Sequence, residues 1–187
     1  ALAANGLASQ ALVNTHLAAA SAMLSWLLVE KLRAGHATTL GAASGAVAGL
    51  VAITPCAGFV GGMAPIIIGL TAGAVCYLAL ALKNAFKFDD SLDVIAVHLV
   101  GGILGAVLLG FFADTKVNSL GFDGVFFGGG SKLLVNQFIA IGATFAFSFI
   151  VTYVVARIID ATIGLRVSAE DELVGLDQSQ HAEAAYQ

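Results

Sequence analysis

Charge is scarce in this sequence. Of 187 residues, 8 are Lys or Arg and 12 are Asp or Glu, which makes 11% charged against about a quarter in an average soluble domain. So few charges cannot cover the surface of a soluble domain of this size, which excludes an ordinary soluble enzyme. The same shortage excludes a nucleic-acid partner, which would need a clustered basic patch. Cysteine is equally sparse: two residues cannot build a disulfide-rich secreted scaffold. Apolar residues fill the space, at 59% of the chain. The composition is that of an integral membrane protein in a lipid bilayer.

A membrane-spanning helix needs roughly 20 residues, and the length allows about five with loops and a tail. The long continuous apolar runs argue against a β-barrel, whose strands would alternate over about ten residues. Charge-free gaps locate the helices. No charge occurs from Ala1 to Val29, from Ala34 to Leu82, from Val94 to Ala113 or from Leu133 to Ala156. The second gap holds two helices, separated at Thr54-Pro55-Cys56-Ala57-Gly58, where Pro and Gly break the pattern. The expected fold class is therefore an all-α membrane protein. Its helices are expected at about 6–32, 39–54, 62–84, 92–112 and 132–160. The second is short.

Basic residues set the orientation. Lys31, Arg33, Lys83, Lys87, Arg157 and Arg166 fall on one side of a five-helix arrangement, and Lys116 and Lys132 on the other. The first side is expected to be cytoplasmic, with the N-terminus outside, in a multi-pass inner (plasma) membrane protein. Residues 166–187 carry one basic and five acidic residues and read as a polar cytoplasmic tail, distinct from a membrane region over 1–165. Residue 1 is Ala and the chain opens within an apolar stretch, which suggests a fragment or a trimmed chain.

His98 is the only titratable side chain between Val94 and Ala113. Ionisable groups at this depth are costly and usually face a bundle interior or a cavity. A neutral imidazole has one donor and one acceptor nitrogen, so it can pass a proton or hold a polar solute. A purely structural histidine, bonded to a neighbouring carbonyl, is the competing reading. At regular α-helical spacing Val94, His98, Gly101, Gly102 and Gly105 share one face, which suits either a helix-packing groove or the wall of a narrow pore. Asp93 lies roughly 140° around the helix from His98 and is expected to cap the start of helix 4. Gly41, Gly45 and Gly49 form a small-residue stripe for packing on helix 2. His16 is a second intramembrane histidine, expected to be structural. His36 and His181 are expected in solvent. Cys56 and Cys76 differ in expected depth, so no disulfide is expected. No metal-ligand spacing, phosphate-binding loop, paired-carboxylate or Ser-His-Asp pattern is present in the sequence, and an enzyme is not expected.

Three stretches together resemble the Amt/MEP/Rh ammonium transporters of the bacterial Amt type. They are Leu40-GAASGAVAGLVAITP-Cys56-AGF, then Asp89-Asp90-Ser-Leu-Asp93-Val-Ile-Ala-Val-His98-Leu-Val-Gly101-Gly102, and the tail segments Gly164-Leu-Arg166-Val and Gly175-Leu-Asp177-Gln-Ser-Gln-His181-Ala-Glu-Ala-Ala-Tyr186. The resemblance covers nearly the whole chain. It implies that the helices match the last five of an eleven-helix fold, in which case the first of two pore histidines, the outer aromatic site and the phenylalanine gate have no counterpart here.

The resemblance further implies transport of ammonium or ammonia without a cofactor. His98 would be the second pore histidine, Val94 and Val47 its apolar neighbours, and Asp93, Gly101 and Gly102 structural residues beside the pore. It implies a homotrimer and a PII-type signalling protein docking on the cytoplasmic face. Leu99 stands where the family usually has Gly. His16 replaces a small or polar residue, and Ser179 occupies the place of a regulatory threonine in plant relatives. An ammonium sensor or scaffold with the same membrane fold is the alternative.

Overall fold

The computed structural model describes residues 3–87 and 89–184. Among these residues all regular structure is helical. Helix α1 covers Gly6–Ala34. It begins where the Asn5 side chain accepts a hydrogen bond from Ala8 N at 3.0 Å and ends at Gly35 with φ 83°, a left-handed C-terminal residue that Gly adopts without a Cβ clash. Helix α2 covers Thr39–Ile53. Thr38 caps it through Gly41 N at 2.8 Å, and the Thr38 hydroxyl donates to the Glu30 carboxylate of α1 at 2.8 Å. Helix α3, Ala64–Phe86, carries Pro65 in its first turn, where a missing N–H costs nothing.

Helix α4 has two parts. A π-helical turn, Ile95–Val100, runs directly into an α-helix, Gly101–Phe112. A short 3₁₀ turn, Val125–Phe127, precedes the long helix α5, Lys132–Thr162. Two short helices follow, α6 at Ala169–Val174 and α7 at Leu176–Ser179. Helices α1, α3, α4 and α5 are long and apolar enough to cross a membrane; α2, with 15 residues, is shorter. Among the described residues, four helices long enough to span and one shorter apolar helix thus stand where five helices were expected.

The chain forms two compact units, Ala1–Ile141 and Gly142–Gln187. In the first, glycine lets backbones touch. A Cβ at Gly49 of α2 would come within 2.5 Å of Ala18 O, and one at Gly73 of α3 would collide with Ala22 O. The glycine stripe on α2 is accordingly a packing face: Gly45 and Gly49 lie against α1 at Trp26 and Ala18. One core cluster gathers Ala18, Ile53, Cys56, Val60, Ile68 and Ala72, and a second gathers Trp26, Ala48, Cys76 and Val97. Trp26 meets Tyr77 edge-on at 5.6 Å, the geometry favoured by aromatic quadrupoles. Cys56 and Cys76 are free thiols.

In the second unit the Phe145, Phe149 and Tyr153 rings stack in sequence along α5. Ser168 caps α6 through Asp171 N at 3.1 Å, and Arg166 pairs with Glu172 at 2.6 Å. That guanidinium, foremost through its hydrogen bond, holds the Glu172 carboxyl below its ordinary range. Tyr186, at the end of the tail motif, lies outside the described residues.

Candidate pore wall

The approach to α4 is built by carboxylates and one lysine. Asp90 Oδ1 accepts from Val94 N at 2.8 Å, and Asp90 Oδ2 accepts from Ile95 N at 2.9 Å. These are free donors of a helix N-terminus, where an anion is favoured. The hydrogen bond from Ile95 N, then that from Val94 N and the Lys83 charge, hold the Asp90 carboxyl below the usual carboxylate range. The cap is therefore Asp90, three residues earlier than the Asp93 expected from the sequence. Asp93 instead takes a left-handed backbone, φ 58°, and its carboxylate pairs with Lys83 Nζ. Asp tolerates that conformation better than most residues. Lys83 Nζ also donates to the Asp90 carbonyl at 3.1 Å.

Beyond this clasp the π turn presents its residues unequally. Ala96 and Val97 are buried, while His98 and Leu99 are exposed. Val97 packs with Ala48 of α2 and Cys76 of α3. Their chain neighbours Val47 and His98 are both exposed, Val47 at 38% and Val94 at 47%. Two contacting elements therefore each leave a candidate residue uncovered beside a packed one.

The π turn also revises the single face expected from α-helical counting. A π turn closes hydrogen bonds one residue farther along than an α turn, so spacing across it is not that of 3.6 residues per turn. Gly101 is buried, and a Cβ there would lie 3.4 Å from Cys76 Sγ and from Val51 Cγ1. Gly105 is pressed against the Ala52 backbone, whereas Gly102 has open space around its Cα. Gly101 and Gly105 are packing positions, and only Gly102 fits an open wall.

The remaining candidates are elsewhere. His16 is exposed on α1. Ser179 ends α7, where its hydroxyl donates to Gly175 O at 3.0 Å. Lys83 and Asp90 carry the local structure around His98 but were not singled out in the sequence. The pair of adjacent carboxylates at 89–90, just before a helix start, was the available signal.

The family model described as "Ammonium Transporter Family" matches residues 1–186. An ammonium transporter of Bacillus subtilis is 48% identical over 188 residues, covering 100% of this chain and 46% of the relative. Ammonium transporter Amt1 of Archaeoglobus fulgidus is 48% identical over 186 residues, with the same coverage of 100% and 46%. The chain thus spans about half the length of these curated relatives. Among solved structures, Mep2 of Saccharomyces cerevisiae superposes with a TM-score of 0.79 at 38% identity, covering 89% of this chain and 39% of that one. A structure described as a sensor Amt protein superposes with a TM-score of 0.82 at 29% identity, covering 97% and 43%. An all-helical apolar fold, a whole-chain family match and close named relatives agree, and the chain belongs to the ammonium transporter family.

Proposed function

We propose that this chain provides one wall of a transmembrane ammonium pathway, with His98 as its polar contact. The observation that carries this reading is an exposed imidazole on a π turn, with apolar, exposed Val94, Val47 and Leu99 on the same and contacting elements. Stripping water from an ammonium ion in an apolar passage is costly unless a partner replaces the water. Loss of a proton removes most of that cost, and an imidazole is suited to receive or relay it. His98 is then one of a histidine pair, with the second and the facing wall lying in the part of the family fold that this chain does not match. Glycine at 102 keeps the wall free of bulk.

The same reading places the basic segments and the tail on the cytoplasmic side of the plasma membrane and the N-terminus outside. The working assembly is a homotrimer. The loops carrying Lys31, Arg33, Lys83 and Lys87 contribute to the surface for a PII-type regulator, and Ser179 is a regulatory position in the tail. Transport is preferred over sensing because the relatives named transporters reach 48% identity, against 29% for the structure described as a sensor.

The test is methylammonium uptake by the protein expressed from its complete coding sequence, in cells lacking their own ammonium uptake. His98→Ala should lower uptake by about tenfold or more at equal membrane abundance, the scale of losing a group made for the passing species. Uptake equal to that of the unaltered protein would sink the assignment.

A further inference from the structure

Lys83 ties the end of α3 to the start of the π turn. Its ammonium meets the Asp93 carboxylate and the Asp90 carbonyl, while the Asp90 carboxylate holds the first two amides, Val94 N and Ile95 N. One cation therefore joins Asp90 and Asp93, which both lie within eight residues of His98. The Lys83 and Asp93 side chains are 28% and 26% exposed, so their attraction is less screened than that of a surface pair.

A π turn is an uncommon register, found mostly as single turns and frequently at functional sites. If it relaxed to α-helix, the residues on one side would rotate by about one residue's worth, ~100°, relative to the other. A shift of one residue in the direction that buries it would carry His98 to the place of Val97, which is buried. The left-handed backbone at Asp93 is the fixed point from which the turn starts.

We infer that Lys83 is a positioning residue for the pathway: through Asp93 and the Asp90 carbonyl it locks the π turn and so sets the direction of His98. This rests on the reading of His98 given above. Lys83 does not touch the passing molecule. It acts from the cytoplasmic end of α3 by keeping the wall in one of two helical registers. Asp93→Asn preserves a residue that tolerates the left-handed backbone while removing the ionic partner. Arginine at 83 keeps charge and reach.

The experiment uses the protein expressed from its complete coding sequence, comparing Lys83→Met, Lys83→Arg, Asp93→Asn and His98→Ala. Two quantities are read: methylammonium uptake per membrane copy across concentrations, and amide hydrogen exchange over residues 94–100 in detergent. Lys83→Met and Asp93→Asn should speed exchange over 94–100 by about tenfold, with α1 unchanged, as expected for opening of one local unit. Both should lower maximal uptake by about tenfold with half-saturation nearly unchanged, the signature of misplacement rather than lost binding. Lys83→Arg should retain both. Should Lys83→Met fail to reach the membrane, Asp93→Asn decides. Exchange over 94–100 unchanged in Asp93→Asn overturns the inference. Faster exchange with undiminished uptake overturns it too, leaving Lys83 as a stabilising residue only. Full uptake by His98→Ala overturns the pore reading and the functional half of this inference with it. The exchange result distinguishes that failure from a failure of the clasp.

Discussion

Asn14, in the third turn of α1, donates its side-chain amide to Val60 O at 2.7 Å, and both residues are buried. The same amide nitrogen donates to Ala57 O at 2.9 Å, while the Asn14 Oδ1 accepts from Gln10 Nε2 at 3.1 Å. One polar side chain thus supports the non-helical segment between α2 and α3. Replacing it with Leu takes the donor from the Ala57 carbonyl and from the buried Val60 carbonyl. Interhelical bonds in membranes average only about 0.6 kcal/mol because the unfolded state also finds partners. Backbone carbonyls fixed in a turn lack that freedom, so a loss of about 1–3 kcal/mol is expected. Thermal unfolding in detergent should show a lower midpoint for Asn14→Leu; an unchanged midpoint would remove Asn14 from the packing scheme.

Two glycines on α4 should respond oppositely. A methyl at Gly105 would strike the Ala52 backbone, while one at Gly102 meets nothing within 4 Å. Overpacking against backbone costs about 1–3 kcal/mol, so Gly105→Ala should lower the unfolding midpoint. Gly102→Ala should leave it in place. Equal effects at the two positions would contradict the packing of α4 against α2.

The Asp90 cap has a pH signature. Its folded carboxyl lies below the ordinary value because the amides and Lys83 favour the anion, whereas the unfolded value is about 3.9. A lowered folded value means the stabilisation is present above the unfolded value and is lost as pH falls through the folded one. Protection of the Val94 and Ile95 amides should therefore hold from neutral pH down to about pH 4 and fall only below it. In Asp90→Asn that acid transition should be absent. A transition near neutral pH would show that another group controls the helix start.

Cys56 should be inert. Its side chain is wholly enclosed and its sulfur donates to Gly105 O at 3.2 Å, which leaves a reagent no path to it. Maleimide at neutral pH should leave Cys56 unlabelled in the folded protein and label it after denaturation. Rapid labelling of the folded protein would mean that the segment at 54–60 opens readily.

The sequence was most legible where charge and glycine act through simple spacing. Helices α2 and α5 start at Thr39 and Lys132, at the edges of charge-free stretches, and the glycines at 45 and 49 meet α1. What could not be read was register. Counting around His98 assumed 3.6 residues per turn, and the π turn at Ile95–Val100 breaks that assumption. The choice between Asp90 and Asp93 as cap depended on the left-handed backbone at Asp93, which no local pattern encodes. The Lys83 contact links two elements ten residues apart along the chain, a pairing that spacing on one helix cannot reveal.

The shortness of α2 has a consequence for the depth of the fold. Fifteen residues rise about 22 Å, less than the roughly 30 Å of hydrocarbon in a bilayer. The segment that continues it, residues 54–63, has no continuous helical ladder. Hydrocarbon tolerates such backbone only where protein shields it and supplies its hydrogen bonds. Cys56 and Val60 are wholly enclosed, Cys56 N and Ala57 N both donate to Ile53 O, and Asn14 serves the Ala57 and Val60 carbonyls. One polar side chain of α1 thus supplies two of the hydrogen bonds that the irregular backbone beyond α2 needs.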